Sequence, residues 1–322
     1  MSFSLGVQRD IGWGTVVDAA YVGSLSRHLR QSVNLNSIPY GANFLASNGD
    51  PGAPGRPLPP DFLRPYPGLG NIAYNTYDAS ANYHSMQMQV HRRFAKRIQF
   101  GSAWTWSKTM DTSDGGAVSL FLNTKSRYYG RAGFDRTHIV NINWMYDLPA
   151  VSAHWRNPFA RQVLDNWQLT GIAGFVSGAP LGVGFTTVDG ADISGSPTEG
   201  VRPDLIANPE LPKGERVKLH YFNTDAFARP ARGTIGTAAK DNLRGPGINN
   251  WDIGLYKNVL IKERARLQFR WETYNTFNHT QYSALDTTAR FDAAGRQVNA
   301  RFGQLFAARS PRRMQLAVKL IF

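Results

Sequence analysis

The stretch that most restricts the fold is the chain's last, Arg312-Arg313-Met314-Gln315-Leu316-Ala317-Val318-Lys319-Leu320-Ile321-Phe322. One parity is Met314, Leu316, Val318, Leu320 and Phe322, all apolar; the other is Arg313, Gln315, Ala317, Lys319 and Ile321, mostly polar or small. Side chains of a strand alternate between its faces, so this period of two predicts a strand with one dry and one wet face. Such a strand fits a sandwich, whose dry face meets a second sheet, or a barrel wall, whose dry face meets lipid.

The same period recurs along the chain. Strands are expected at Ser2–Gln8, Thr15–Gly23, Tyr83–Phe94, Arg97–Lys108, Thr137–Leu148, Asn166–Ser177, Trp251–Leu260, Glu263–Phe277 and Arg312–Phe322, with Gly303–Ala308 a doubtful tenth. Shorter connections (residues 9–14, 95–96, 149–165, 261–262) alternate with long segments rich in Gly, Pro, Asn and Asp (24–82, 109–136, 178–250, 278–311). With Gly303–Ala308 counted as loop, every shorter connection falls at one end of the strands and every long one at the other. Outer-membrane barrels have this asymmetry, with short periplasmic turns and long extracellular loops. A sandwich has no reason to sort its loops by end, and a structureless 178–250 would be foreign to a compact soluble domain.

Composition agrees without deciding. Apolar residues are 42% and the mean hydropathy is −0.36, as expected when only alternate strand residues face lipid. No apolar run reaches the ~18 residues of a transmembrane helix, which leaves the closed β-barrel as the spanning structure lipid permits. The 36 Lys+Arg against 23 Asp+Glu give a net charge of +13, which raises nucleic-acid binding. The bases are dispersed, however, at strand ends and turns, as in Arg92-Arg93, Lys96-Arg97 and Arg312-Arg313, so no nucleic-acid partner is expected. The absence of cysteine excludes disulfides and thiolate metal sites.

Faces follow from parity. In Glu263–Phe277, Ala265, Leu267, Phe269 and Trp271 oppose Arg264, Arg266, Gln268, Arg270 and Glu272. This predicts a lipid face against a wet lumen lined by Arg264, Arg266, Arg270 and Glu272. Trp251, Ile253, Leu255 and Val259 face outward, with Lys257 an exception among them. His84, Met86, Met88 and Val90 oppose Tyr83, Ser85, Gln87 and Gln89. Trp104, Trp106, Trp144, Tyr146, Trp167 and Trp251 are candidates for interfacial girdles.

The alternating end with its final aromatic resembles the terminal strand of bacterial outer-membrane β-barrels. The resemblance implies that Met314, Leu316, Val318, Leu320 and Phe322 are read by the barrel-assembly machinery. Collinear segments resemble the carboxy-terminal barrel half of TonB-dependent outer-membrane receptors, closest to the Oar-like group with a carboxypeptidase-regulatory-like domain. They are Ala103-Trp104-Thr105-Trp106-Ser107-Lys108, Phe134-Asp135-Arg136-Thr137-His138, Tyr146-Asp147-Leu148-Pro149, Asn166-Trp167-Gln168-Leu169-Thr170-Gly171 and Ser177-Gly178-Ala179-Pro180. Arg202-Pro203-Asp204, Tyr221-Phe222-Asn223-Thr224-Asp225-Ala226-Phe227, Gly233-Thr234-Ile235-Gly236 and Leu243-Arg244-Gly245-Pro246-Gly247 continue the series. Asn249-Asn250-Trp251-Asp252, Arg270-Trp271-Glu272 and Asn275-Thr276-Phe277-Asn278-His279-Thr280-Gln281 complete it.

The resemblance implies uptake of an unidentified solute, energised through TonB, by a large barrel with an amino-terminal plug. The whole chain, 1–322, is then expected to be the carboxy-terminal barrel portion, lacking the plug, TonB box and signal peptide. About ten strands of an all-β antiparallel transmembrane barrel would leave two free edges, which lipid does not tolerate. Both Gly245-Pro246-Gly247 and Asn275 to His279 are read as structural: a sharp turn before a strand, and polar groups closing a strand's end.

Enzyme motifs are missing. The histidines (28, 84, 91, 138, 154, 220, 279) form no HExxH. Gly174-Phe175-Val176-Ser177-Gly178 is not a nucleophile elbow. Gly68-Leu69-Gly70 follows Pro67 in a Pro-rich loop rather than a strand, so no cofactor is expected. The rival reading is a soluble or surface β-sandwich module binding a glycan or protein. It differs in what covers Leu316, Val318 and Leu320.

Overall fold

The computed structural model describes residues 1–113, 117–154, 158–262 and 265–322. Nine long strands form one wall: β1 (Ser2–Asp10), β2 (Thr15–Asn34), β3 (Ala73–Ala95), β4 (Ile98–Asp111), β5 (His138–Asp147), β6 (Trp167–Val176), β7 (Ile248–Lys262), β8 (Ala265–Tyr274) and β9 (Arg313–Ile321). Each pairs antiparallel with its neighbours in sequence, an uninterrupted meander from β1 to β9. Two-residue strands, Ala117–Val118 on β2 and Gly130–Arg131 on β4, extend this sheet. The sheet does not close, and among the described residues the outer edges of β1 and β9 are unpaired. Because the strands alternate in direction, these two edge strands point the same way.

The nine expected wall strands are all present, and their ends moved. β2 and β3 are 20 and 23 residues long, far beyond the expected Thr15–Gly23 and Tyr83–Phe94. Their extensions pair Leu25 with Asn82 and Ser32 with Asn75 across bulges, and Gln31 Nε2 donates to Asp78 Oδ1 at 2.7 Å. The extensions carry no long apolar stripe, so periodicity could not reveal them. The connection expected at 24–82 is therefore residues 35–72. The doubtful tenth strand is Leu305–Ala308; it pairs with Tyr282–Leu285 in a separate ribbon, outside the wall.

At the short-turn end, β3 and β4 join through Lys96 and Arg97, both at positive φ (50° and 73°). Positive φ at both central residues matches the twist of a tight hairpin, here achieved without glycine.

At the other end the long segments build a cap with its own interior, and 178–250 is not structureless. Pro180–Leu181 pairs with Leu243–Arg244, Asp204–Leu205 with Phe227–Ala228, and Gly184–Thr187 runs parallel to Thr288–Phe291. Val183, Phe222, Phe227, Leu243, Phe291 and Phe302 are buried together there. Phe222 meets Phe302 edge-on at 5.1 Å between ring centroids. Among the described residues a buried apolar cluster thus forms in the cap, while the wall keeps its apolar residues on the surface.

Candidate functional site

Register sorts the wall into two faces. Leu267 opposes Leu320, Phe269 opposes Val318 and Trp271 opposes Leu316. Leu5 opposes Tyr21, Tyr21 opposes Met86 and Met86 opposes Trp106. These rows make one continuous apolar face. Leu316 and Val318 are 81% and 62% exposed, so among the described residues no second sheet covers the face, as a sandwich would require.

Aromatic packing stiffens the apolar face. The Trp251 ring lies edge-on to Phe175, Phe277 and Trp144 at 5.6, 5.7 and 6.0 Å. Trp106 and Trp251 lie toward the long-loop end, and Tyr146 and Trp167 toward the short-turn end. Trp104 pairs with Val140 and Trp144 with Phe100, nearer mid-wall than a rim position. Trp144 lies across Gly171, where a Cβ would overlap its ring; any other residue at 171 would displace the indole.

Lys257, the one charge in its outward row, lies between Trp167 on β6 and Phe269 on β8. Its ammonium reaches the short-turn end, donating to the Asp165 main-chain carbonyl and lying 5.5 Å from the Trp167 ring centroid. A lysine stem can line an apolar face while its charge leaves it. Ser152 holds the same turn, its amide and hydroxyl both donating to the Asp165 carboxylate. These bonds hold that carboxyl below the usual aspartate range.

The opposite face is polar, and its network spans β7 and β8. Tyr256 donates to Glu272 Oε1 at 2.9 Å and Tyr274 to Glu272 Oε2 at 3.3 Å. Arg270 Nε donates to Gln268 Oε1 at 2.7 Å, and Gln268 Nε2 to Asn258 Oδ1 at 2.9 Å. The Arg270 guanidinium lies over the Tyr256 ring at 5.2 Å. A cavity of about 360 Å³ opens on this face, lined among others by Gln99, Asn143, Thr170, Asp252, Tyr256 and Glu272. Arg270 and Glu272 are thus brought together in one network. Arg266 shares their strand parity but sits apart at the short-turn end, beside Asn258, Gln168 and Asp147. Arg264 lies outside the described residues.

The cap is tied to the wall by contacts that sequence reasoning missed. Arg244 Nη2 donates to Asp135 Oδ2 at 2.7 Å and to Thr137 Oγ1 at 2.9 Å, and its Nη1 to the Gly178 carbonyl at 3.1 Å. Asp135, its side chain fully buried, also accepts from the Thr109 amide at 2.7 Å. Gly178 touches Gly245 so closely that a Cβ at 178 would overlap the Gly245 carbonyl. Three of the resembling segments therefore form one latch. A second joins Asn275 to His279: Asn275 Nδ2 donates to the His279 carbonyl at 2.9 Å, and Asn275 Oδ1 accepts from the His279 amide at 3.0 Å. Asp252 accepts from the Asn275 amide at 2.8 Å, and Gln281 bridges to the Asn249 main chain. Within the cap itself, Arg127 donates to the Ile235 and Gly236 carbonyls at 2.7 and 2.6 Å, and Arg202 donates to the Arg127 carbonyl at 3.1 Å. Beside them burial pushes the Tyr40 phenol up to about 12.

A family model described as outer membrane beta barrel domain matches residues 1–315. No curated protein matches the sequence. Among solved structures, the outer membrane transporter YddB from Escherichia coli is similar with a TM-score of 0.47 at 10% identity, over 99% of this chain and 32% of its own. P. aeruginosa FpvA, bound to heterologous pyoverdines, is similar with a TM-score of 0.44 at 9% identity, over 99% of this chain and 26% of its own. The chain spans about a third or less of the length of either.

Proposed function

The chain belongs to the family of outer membrane beta barrel domains, and on that premise we propose that it forms part of the wall of a TonB-dependent receptor taking up a solute. As a member of that family it resides in the bacterial outer membrane, its apolar face toward lipid. The reading is supported above all by how the resembling segments converge. Asp135, Gly178 and Arg244, far apart in sequence, form one latch between wall and cap. A wall capped at one end by long folded loops suits capture of solute outside and passage along the polar face. Residues 178–250 and 35–72 are the parts that would meet solute first. Arg266, Arg270 and Glu272 would line the passage. Asp252 and Glu272 offset the cations on this face, so its lining favours neither sign of solute charge.

Completing the wall calls for more strands. The two edge strands point the same way, so an antiparallel seam on both sides requires an odd number of added strands. We infer that this chain is the carboxy-terminal part of such a barrel, with β9 read by the assembly machinery. Closer kinship with the Oar-like group rests on the resembling segments alone.

The experiment is a pair of deletions in the source bacterium, one removing this gene and one removing the TonB system, with depletion of solutes from the medium followed by mass spectrometry. The expected result is a shared solute left unconsumed by both strains, with no added defect in the double deletion. Normal consumption in the gene deletion, or defects that add, would overturn the reading.

A further inference from the structure

The short-turn rim of the apolar face carries a second kind of cation. Arg9 continues the outward row Phe3, Leu5, Val7 on β1, and Arg92 continues Met86, Met88, Val90 on β3. The strand between them brings the two together: Arg9 is opposite Val17, Val17 opposite Val90, and Thr15 opposite Arg92. Two guanidiniums therefore flank Thr15 and Val17 on the lipid side, where β1, β2 and β3 reach the short turns. Aromatics surround them. Trp13, in the turn between β1 and β2, is 80% exposed, Phe94 is 52% exposed, and Phe100 is the cross-strand partner of Arg92.

Lys257 shows what an outward cation on this rim does when the protein provides for it: its ammonium is taken by the Asp165 carbonyl. Arg9 and Arg92 have no such provision. Among the described residues neither guanidinium pairs with a carboxylate, and Arg92 Nε is buried without any hydrogen-bond partner. The nearest acids point elsewhere: Asp18 lies on the polar face by parity, and Asp10 accepts from the Gly12 amide at 2.7 Å. The Arg92 Nε is covered by protein, so an acceptor from outside would meet the exposed Arg9 and the remaining donors of the Arg92 fork, neither guanidinium being neutralised by a carboxylate. Short turns are periplasmic in these barrels, so the acceptor at hand is a phospholipid headgroup of the periplasmic leaflet.

We propose that Arg9 and Arg92, with Trp13 and Phe94 beside them, form a binding site for the phosphodiester of an anionic phospholipid in the periplasmic leaflet. The forked guanidiniums suit phosphate oxygens, and the exposed aromatics suit the headgroup boundary, where amphipathic rings settle. The site depends on family membership and on the orientation of the wall, and is independent of the uptake reading.

The test uses the protein as the source bacterium assembles it in its outer membrane, purified and reconstituted into nanodiscs holding equal phosphatidylglycerol and phosphatidylethanolamine, then extracted into mild detergent for native mass spectrometry of retained lipid. The expected result is selective retention of phosphatidylglycerol, reduced on the order of ten- to thirty-fold in the Arg9→Gln/Arg92→Gln variant, at about a three- to fivefold step per arginine. The Arg9→Lys/Arg92→Lys variant should keep part of it, and Arg312→Gln/Arg313→Gln, at the other rim, all of it. Excess inorganic phosphate should not displace the lipid. Equal retention of both lipids, unchanged retention in the glutamine variant when its circular dichroism matches the parent's, or displacement by inorganic phosphate would each overturn the proposal.

Discussion

Arg244 and Asp135, 109 residues apart in the chain, meet at 2.7 Å over a fully buried carboxylate. The pair closes the junction where β5 leaves the cap and where the chain re-enters the wall through Gly245-Pro246-Gly247. Removing one partner of a buried ion pair leaves the other charge uncompensated, at a cost of about 3–5 kcal/mol. Arg244→Met is therefore expected to loosen residues 178–247 by several kcal/mol, seen as faster proteolysis and hydrogen exchange there while β8 and β9 stay protected. Arg244→Met combined with Asp135→Leu should recover part of the loss. Unchanged cap protection in the single variant would show that the pair carries no weight.

Gly171 and Trp144 give a sharper steric test. A Cβ at 171 would overlap the indole, so Gly171→Val should lower the urea midpoint by an amount equivalent to about 1–3 kcal/mol. Trp144→Ala in the same chain should cancel most of that added penalty, although the truncation has its own cost. Additive losses would mean the two residues do not compete for space.

On β9 the two faces should respond oppositely to charge. Val318→Arg puts a cation on the lipid face and is expected to cost about 2–4 kcal/mol toward mid-bilayer. Gln315→Arg on the polar face should be nearly neutral. Refolding into lipid vesicles, followed by heat-modifiable gel mobility, reads both. Equal effects would refute the distinction between the two faces.

The cap's aromatic centre predicts a local defect. Phe222 is 2% exposed and packs on Phe227 and Phe302. Phe222→Ala should destabilise the cap by about 3–5 kcal/mol, with hydrogen exchange rising in residues 204–228 and 285–305 and not in β7 or β8.

Asp165 sets a pH dependence in the short turn. Hydrogen bonds from Ser152 hold its carboxyl below the ordinary value, so the folded carboxylate is favoured relative to the unfolded one. That stability is fully present above the unfolded pKa of about 4 and is lost as pH falls through the lower folded value. Ser152→Ala should therefore melt below the parent at pH 6, with the gap narrowing below pH ~4. A gap constant across that range would place the effect outside Asp165.

Much of the wall was legible because lipid and lumen impose opposite demands on alternate residues. Met314, Leu316, Val318 and Leu320 announce their face without any partner strand, and the alternation of short and long connections orders the strands. Where no dry face exists the signal vanishes: Ser24–Asn34 and Ala73–Asn82 are strand, yet they read as loop. Lys257 read as a breach in an apolar row. Its reason, a carbonyl at Asp165 within reach of its stem, belongs to a turn ninety-two residues earlier. The resembling segments marked positions that matter without saying why. Asn275 and His279 were placed at a strand's end from local polarity, but the pairing of Asp135 with Arg244 had no local trace.

By itself the sequence determined the strand order, the parity of each strand and the end at which the loops gather. All three follow from short-range rules: a period of two and the length of each connection. Only the tertiary structure decided which distant groups meet. Arg244 found Asp135, Trp144 found the space above Gly171, Phe222 found Phe302, and Arg9 came to share a rim with Arg92. Such meetings depend on register across several strands and on how the loops fold over one another. A contact energy between residues a hundred positions apart leaves no periodic imprint on either neighbourhood.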